Sequence, residues 1–168
     1  MAYAVVTCLA DLAIRRGDVA RLSLDDIDWR SGKIHIPTPK GGSGFELPLI
    51  KRVGEALSDY IRNARPQSKY REVFLRESRR SIRPASIGSI SYLIDSLWTD
   101  AGLRDRFSGT HVLRHTAATE LVRKGFSLKI IADVLGHSSM QSTVLYAKVD
   151  TELLRPVARP WPIEENCR

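Results

Sequence analysis

The sequence predicts an α+β chain that is mainly α-helical and carries one small antiparallel β-hairpin. Apolar residues recur at helical spacing through most of the chain. One stretch, Lys33 to Leu49, switches to period two around a glycine-rich turn. A chain of 168 residues that is 43% hydrophobic and 27% charged has the size and composition of one globular domain.

Residues 3 to 14 place apolar side chains on one helical face. Arg15-Arg16-Gly17-Asp18 interrupts them, and a second short helical stretch runs from Val19 to Leu24. Asp18 reads as a helix cap or as a residue that orients Arg15. Ile34 and Ile36, then Phe45, Leu47 and Leu49, alternate as two strands about the turn Pro37 to Gly44, with Lys40 near its tip. Helical spacing returns from Ile50 to Ala64 and is broken by Arg65-Pro66. Val73-Phe74-Leu75 reads as a brief strand or a buried extended segment, and Ser86 to Ala101 is helical.

After the loop Gly102 to Gly109, Thr110 is placed to cap a helix ending near Gly125. Ser127 caps the next, whose face Leu128, Ile131, Val134 and Leu135 belongs to the core. Ser138 or Ser139 opens a helix carrying Tyr146, and Pro156, Pro160 and Pro162 end regular structure beyond about Leu154.

No apolar run approaches the ~20 residues that span a bilayer, and no secretory pattern opens the chain, so a cytoplasmic protein is expected. Cys8 and Cys167 have neither metal-ligand spacing nor a disulfide framework. A net charge of +7 suits a phosphate-rich partner, because Lys and Arg displace the counterions condensed on nucleic acid. Charge alone does not decide the matter, since the arginines are spread along the chain.

The second half offers His111 and Arg114 one helical turn apart, then Leu135-Gly136-His137, then Tyr146. Arginine presents a planar fork to phosphate oxygens, imidazole transfers protons near neutral pH, and tyrosine supplies a nucleophile for covalent catalysis. Each has a bland reading. An isolated HxxR arises by chance, a helical tyrosine usually packs, and Arg15 read alone is a solvated helix-end charge. His115, about 100° round the helix from Arg114, is expected to be buried in a structural role. His35 reads as structural or DNA-facing.

Order and spacing join these residues. Ala13-Ile14-Arg15-Arg16-Gly17-Asp18-Val19 followed by Leu22-Ser23-Leu24-Asp25-Asp26-Ile27-Asp28, the hairpin Pro39-Lys40-Gly41-Gly42, Thr110-His111-Val112-Leu113-Arg114-His115-Thr116-Ala117-Ala118-Thr119, and Leu135-Gly136-His137-Ser138-Ser139 before Tyr146 together resemble the catalytic domain of tyrosine recombinases of the phage-integrase type. Ala13 stands where that family has Gly, Asp18 where it has Glu, and Ser43 at a second basic position of the hairpin.

The resemblance implies the tyrosine-recombinase catalytic fold over residues 1–154, without its first helix and without a separate N-terminal DNA-binding domain, and a Pro-rich tail over 155–168. It implies site-specific recombination or integration of double-stranded DNA, as in mobile elements, through a 3′-phosphotyrosine link. Arg15, Lys40, His111, Arg114 and His137 would be catalytic, and Tyr146 the nucleophile. Arg15 and Arg114 would hold the scissile phosphate, His111 and His137 would add hydrogen bonds, and Lys40 would protonate the departing 5′ oxygen.

The same resemblance implies no metal and no other cofactor. It also implies a homo-oligomer, a tetramer on DNA, with a monomer allowed when DNA is absent; Trp161 in the tail is a candidate for docking on a neighbour. Two rival readings share much of the pattern: a type IB topoisomerase-like nicking and closing enzyme, and a non-catalytic DNA-binding remnant.

Overall fold

The computed structural model describes residues 1–37, 44–78 and 81–135. Helix α1 (Ala2–Ala10) is followed by α2 (Arg16–Arg21) and a 3₁₀ turn (Leu24–Asp26). Strands β1 (Ile27–Asp28), β2 (Lys33–Ile36) and β3 (Phe45–Pro48) come next, then α3 (Lys51–Asp59), which runs into a π-helical turn (Tyr60–Ala64). Strands β4 (Leu75–Ser78) and β5 (Ser81–Pro84) precede α4 (Ile87–Asp100), α5 (His111–Arg123) and α6 (Leu128–Val134).

The main core forms where α1, α2, α3 and α4 meet one face of the three-stranded sheet β1-β2-β3. Leu9, Ile14, Leu22, Ile34, Ile36, Leu57, Phe74, Ile90 and Ile94 are all fully buried there. Burying such a side chain contributes about 1.5–3 kcal/mol, which makes this cluster the principal stabilising element. The period-two reading of the hairpin is met by its register: Ile34 pairs with Leu47 and Ile36 with Phe45, so Ile34, Ile36 and Leu47 turn inward while Lys33 and Glu46 are exposed. β1 extends this sheet by pairing Ile27 with Ile34, a strand too short to leave a periodic signal.

Helix boundaries follow the capping chemistry. Ser86 Oγ accepts from the Ser89 amide at 3.1 Å at the start of α4, and Ser127 Oγ from the Ile130 amide at 3.4 Å at the start of α6. Gly125, at φ 79°, supplies the left-handed residue that ends α5. Thr110 holds the N-cap position of α5, but its side chain makes no capping bond, because its backbone is αR (φ −93°, ψ −16°) rather than extended.

One further outcome differs from expectation, and two others add to it. The first helix stops at Ala10 rather than continuing to residue 14, because Ala13 adopts φ 53° and turns the chain. Val73-Phe74-Leu75 is buried throughout and Leu75 opens a strand, within the reading given to it; the unforeseen part is that β4 and β5 form a second antiparallel sheet in which Arg76 pairs with Arg83. That hairpin shows no apolar alternation, so its sequence does not announce it. Arg65, expected only as a helix break, gathers the following loop: it donates to the carbonyls of Tyr70 (2.6 Å), Glu72 (2.9 Å) and Val73 (3.1 Å).

A second, smaller core joins α5 and α6 through Ala13, Ala118, Ile131 and Leu135. Of the face predicted for α6, Ile131 and Leu135 are fully buried and Leu128 and Val134 half-buried. No helix among the described residues is long and apolar enough to cross a membrane.

Candidate active site

Arg15 precedes α2 in extended conformation (φ −77°, ψ 151°), so its side chain leaves the backbone where the chain turns into the helix. Asp18, buried within that first turn, fixes this geometry. One carboxylate oxygen accepts the Arg15 amide at 3.1 Å, and the other accepts Arg21 Nη2 at 2.8 Å. Asp18 is therefore both a cap and the positioning residue of Arg15, the two roles open to it from sequence.

Arg114 sits in the first turns of α5 and is only 6% exposed. A buried guanidinium needs acceptors, and it has them in two backbone carbonyls: Nη2 donates to Leu135 O at 2.5 Å, and Nη1 donates to Ala13 O. The left-handed Ala13 turns its carbonyl toward α5, and α6 ends where Leu135 meets the same side chain. Sequence reasoning missed this clasp; the one signal for it was Ala13 at a position where the resembled family has Gly, the residue suited to positive φ.

His111 is the first residue of α5 and is exposed. Its place depends on the preceding loop. Trp98 Nε1 donates to Gly109 O at 3.0 Å, and Asp95 Oδ1 accepts the Gly109 amide at 2.9 Å and Arg104 Nη1 at 2.5 Å. The Gly109 amide, and then Arg104, hold the Asp95 carboxyl below the usual carboxylate range. His115 is exposed, not buried as expected, because the α5 face it occupies is not covered by the small core.

These segments enclose a cavity of about 260 Å³ lined by Arg15, Arg16, Asp18, Arg21, His111 and Arg114, among others. Arg15, about a hundred residues away in sequence from His111 and Arg114, thus lines one cavity with them. Lys40, His137, Tyr146 and the tail with Trp161 lie outside the described residues. The cavity suits an anion: among the described residues its lining brings together arginines and an imidazole, and the carboxylate there, Asp18, is already engaged by Arg21.

Cys8 is not a nucleophile. It is fully buried in α1, and burial, with the Asp11 charge nearby, pushes its thiol up to about 12. Among the described residues, no group of three or more His, Cys, Asp or Glu side chains could hold a metal ion.

Comparison with known proteins agrees with the fold and the motif order. The model of the phage integrase family matches residues 1–152. The chain is 43% identical over 165 residues to the putative integrase/recombinase y4rA of Sinorhizobium fredii, covering 96% of this chain and 39% of that protein. It is 37% identical to the putative integrase/recombinase y4gC of the same organism, covering 95% and 82%. It is 28% identical to the tyrosine recombinase XerA of Thermococcus kodakarensis, covering 90% and 52%.

Among solved structures, a XerA recombinase superposes with a TM-score of 0.78 at 26% identity, over 95% of this chain and 57% of that one. The Tn1549 transposon integrase superposes with a TM-score of 0.69 at 19% identity over 93% and 58%, a likeness of fold. The chain spans about two fifths of the length of y4rA and about half that of XerA. With the family model matched along nearly the whole chain and the tyrosine-recombinase catalytic fold in place, the chain belongs to the phage integrase family.

Proposed function

We propose that the chain is the catalytic domain of a site-specific DNA recombinase that cleaves and rejoins double-stranded DNA through a 3′-phosphotyrosine. The observation that carries this reading is the cavity that unites Arg15, His111 and Arg114, with Arg114 clasped between Ala13 and Leu135. A phosphodiester in that cavity would place its non-bridging oxygens against Arg15 and Arg114, which stabilise the charge that grows there as phosphorus becomes pentavalent. Donors held rigidly by backbone carbonyls need little reorganisation during the reaction, which is where such sites gain their rate.

Tyr146 Oη attacks phosphorus and loses its proton to His111 or through it to another base, a role supported by His111 lining the same cavity as Arg15 and Arg114. The phosphorus–O5′ bond breaks, Lys40 gives the departing oxygen its proton, and His137 adds a hydrogen bond to the phosphate. Attack by a 5′-hydroxyl on the phosphotyrosine reverses the step, so bond energy is conserved and exchange needs only a second DNA end. Assembly on DNA as a homotetramer belongs to the same proposal, as does use by a mobile element.

The test is covalent capture. The protein is incubated with labelled, nicked duplexes of mixed sequence and denatured in detergent. A protein–DNA adduct abolished by Tyr146→Phe is expected. Binding without any adduct would instead assign a DNA-binding remnant, and relaxation of supercoiled plasmid without exchange a nicking and closing enzyme.

A further inference from the structure

Strands β4 and β5 carry an arrangement that their own stability does not explain. Arg76 and Arg83 stand directly opposite each other in the hairpin register. Side chains alternate faces along a strand, so these two share a face with Ser78 and Ser81, while Glu77 and Ile82 belong to the other. Like charges directly opposite in an antiparallel pair destabilise it. Both arginines are exposed, and among the described residues neither has a hydrogen bond or an ion pair.

Their face opens onto the start of α4. Arg76, Ser78, Ser81, Arg83, Ser86 and Ser89 line a cleft of about 380 Å³, and no carboxylate lies among its described walls. Ser86 Oγ and Ser89 Oγ are 2.9 Å apart. One hydroxyl proton serves that contact, which leaves the other available to a ligand. The N-terminal end of α4, a helix of fourteen residues, adds a partial positive charge. An anion between Arg76 and Arg83 would turn their mutual repulsion into two charge-assisted contacts.

The cleft adjoins the candidate active site. Ile87, next in sequence to Ser86, lines the cavity that holds Arg15, His111 and Arg114, so the first turn of α4 separates the two. That turn is tied to α2: Arg16 Nη1 donates to Ser91 Oγ at 3.0 Å, and Ser91 Oγ donates to the Ile87 carbonyl at 3.0 Å. A duplex is a rod of closely spaced phosphates. Anchored at the cavity, it brings further phosphates past the neighbouring cleft, whereas a single small anion has no use for both.

We propose that Arg76 and Arg83, with the start of α4, hold a backbone phosphate of the duplex other than the one in the cavity. This deepens the recombinase reading above and rests on it, and the two can fail separately.

The measurement is the salt dependence of binding by the full chain to a short mixed-sequence duplex, whose slope counts the phosphates neutralised. Arg76→Gln combined with Arg83→Gln is expected to weaken binding several-fold and to make the slope shallower by about 0.9, the value of one phosphate. Arg76→Lys with Arg83→Lys keeps the charge and should retain the slope. Arg30→Gln with Arg62→Gln removes two exposed arginines that line neither cavity and should leave the slope unchanged. Without DNA, the double glutamine variant should melt no lower than the wild-type chain, because the opposed charges are gone.

A wild-type slope in the double glutamine variant would overturn the proposal and leave the recombinase reading intact. An equal loss in the Arg30 and Arg62 control would also overturn it, because the slope would then report diffuse charge. Melting below the wild-type chain would overturn it too, by giving the pair a structural role. The expected slope change in a chain that forms no Tyr146 adduct would uphold the cleft and remove only the catalytic reading. A wild-type chain that binds no duplex would bring down both.

Discussion

Arg114 donates from Nη2 to the Leu135 carbonyl at 2.5 Å, and with its other terminal nitrogen it clasps the Ala13 carbonyl, 101 residues away in sequence. One side chain thus ties the turn before α2 to the end of α6, and so sets the distance between Arg15 and whatever follows Leu135. Removing it strands two buried carbonyls, each costing about 1–3 kcal/mol. Arg114→Ala should therefore lower unfolding stability by about 2–6 kcal/mol, with Arg114→Lys intermediate, measured by urea denaturation. A loss below about 1 kcal/mol would show that water or another group replaces the clasp. Activity assays of these variants belong well below their melting temperatures, where stability and chemistry separate.

Ala13 turns the chain at φ 53° while its methyl group is buried. Ala13→Gly relieves a left-handed conformation that costs an L-residue about 1–2 kcal/mol but removes a buried methyl worth about 0.8 kcal/mol. The net change should stay within about 1 kcal/mol of zero. Ala13→Val adds β-branching at positive φ and should cost at least about 2 kcal/mol. Denaturation curves that rank Val equal to Gly would refute the strain.

Asp18 connects the site to the fold by holding the Arg15 amide and Arg21. Its replacement by Ala removes a cap, worth about 0.5–2 kcal/mol, and lets Arg15 drift. Phosphotyrosine formation on saturating DNA should slow about tenfold, a transition-state effect of about 1.4 kcal/mol. Asp18→Glu, the residue the resembled family uses there, should recover most of that rate. An unchanged rate in Asp18→Ala would confine the residue to stability.

Asp95 predicts an acid-sensitive loop. The Gly109 amide and Arg104 lower its pKa in the folded chain. A depressed carboxylate contributes stability that is fully present above its unfolded value, near 3.8, and lost as pH falls through the folded value. The amide of Gly109 should therefore stay protected from hydrogen exchange at neutral pH and lose protection below about pH 4. Asp95→Asn should lack that transition, and so should behave alike on both sides of it. Protection of Gly109 that ignores pH in the wild-type chain would remove Asp95 as the anchor of the loop before His111.

Much of this was legible along the chain. Ser127 caps the helix it is read to cap, Gly125 ends α5, and Ile34 and Ile36 face inward as period two requires. That Arg15, His111 and Arg114 line one cavity is a matter of the fold, which motif order in sequence only suggests. β4–β5 was not legible, since its strands carry Arg76, Glu77 and Arg83 rather than alternating apolar residues, and pairing makes a strand there. The exposure of His115 was also hidden, because helical angle tells which face a residue occupies but not what covers that face.

The sequence by itself determined the mainly helical α+β class and the period-two hairpin, since breakers and periodicity act over a few neighbouring residues. Only the tertiary structure decided how Arg114 is held, why Ala13 accepts a left-handed turn, and that Arg16 leans on Ser91. Each of these depends on a partner far away in sequence, and burial makes the bond obligatory only once the segments have met.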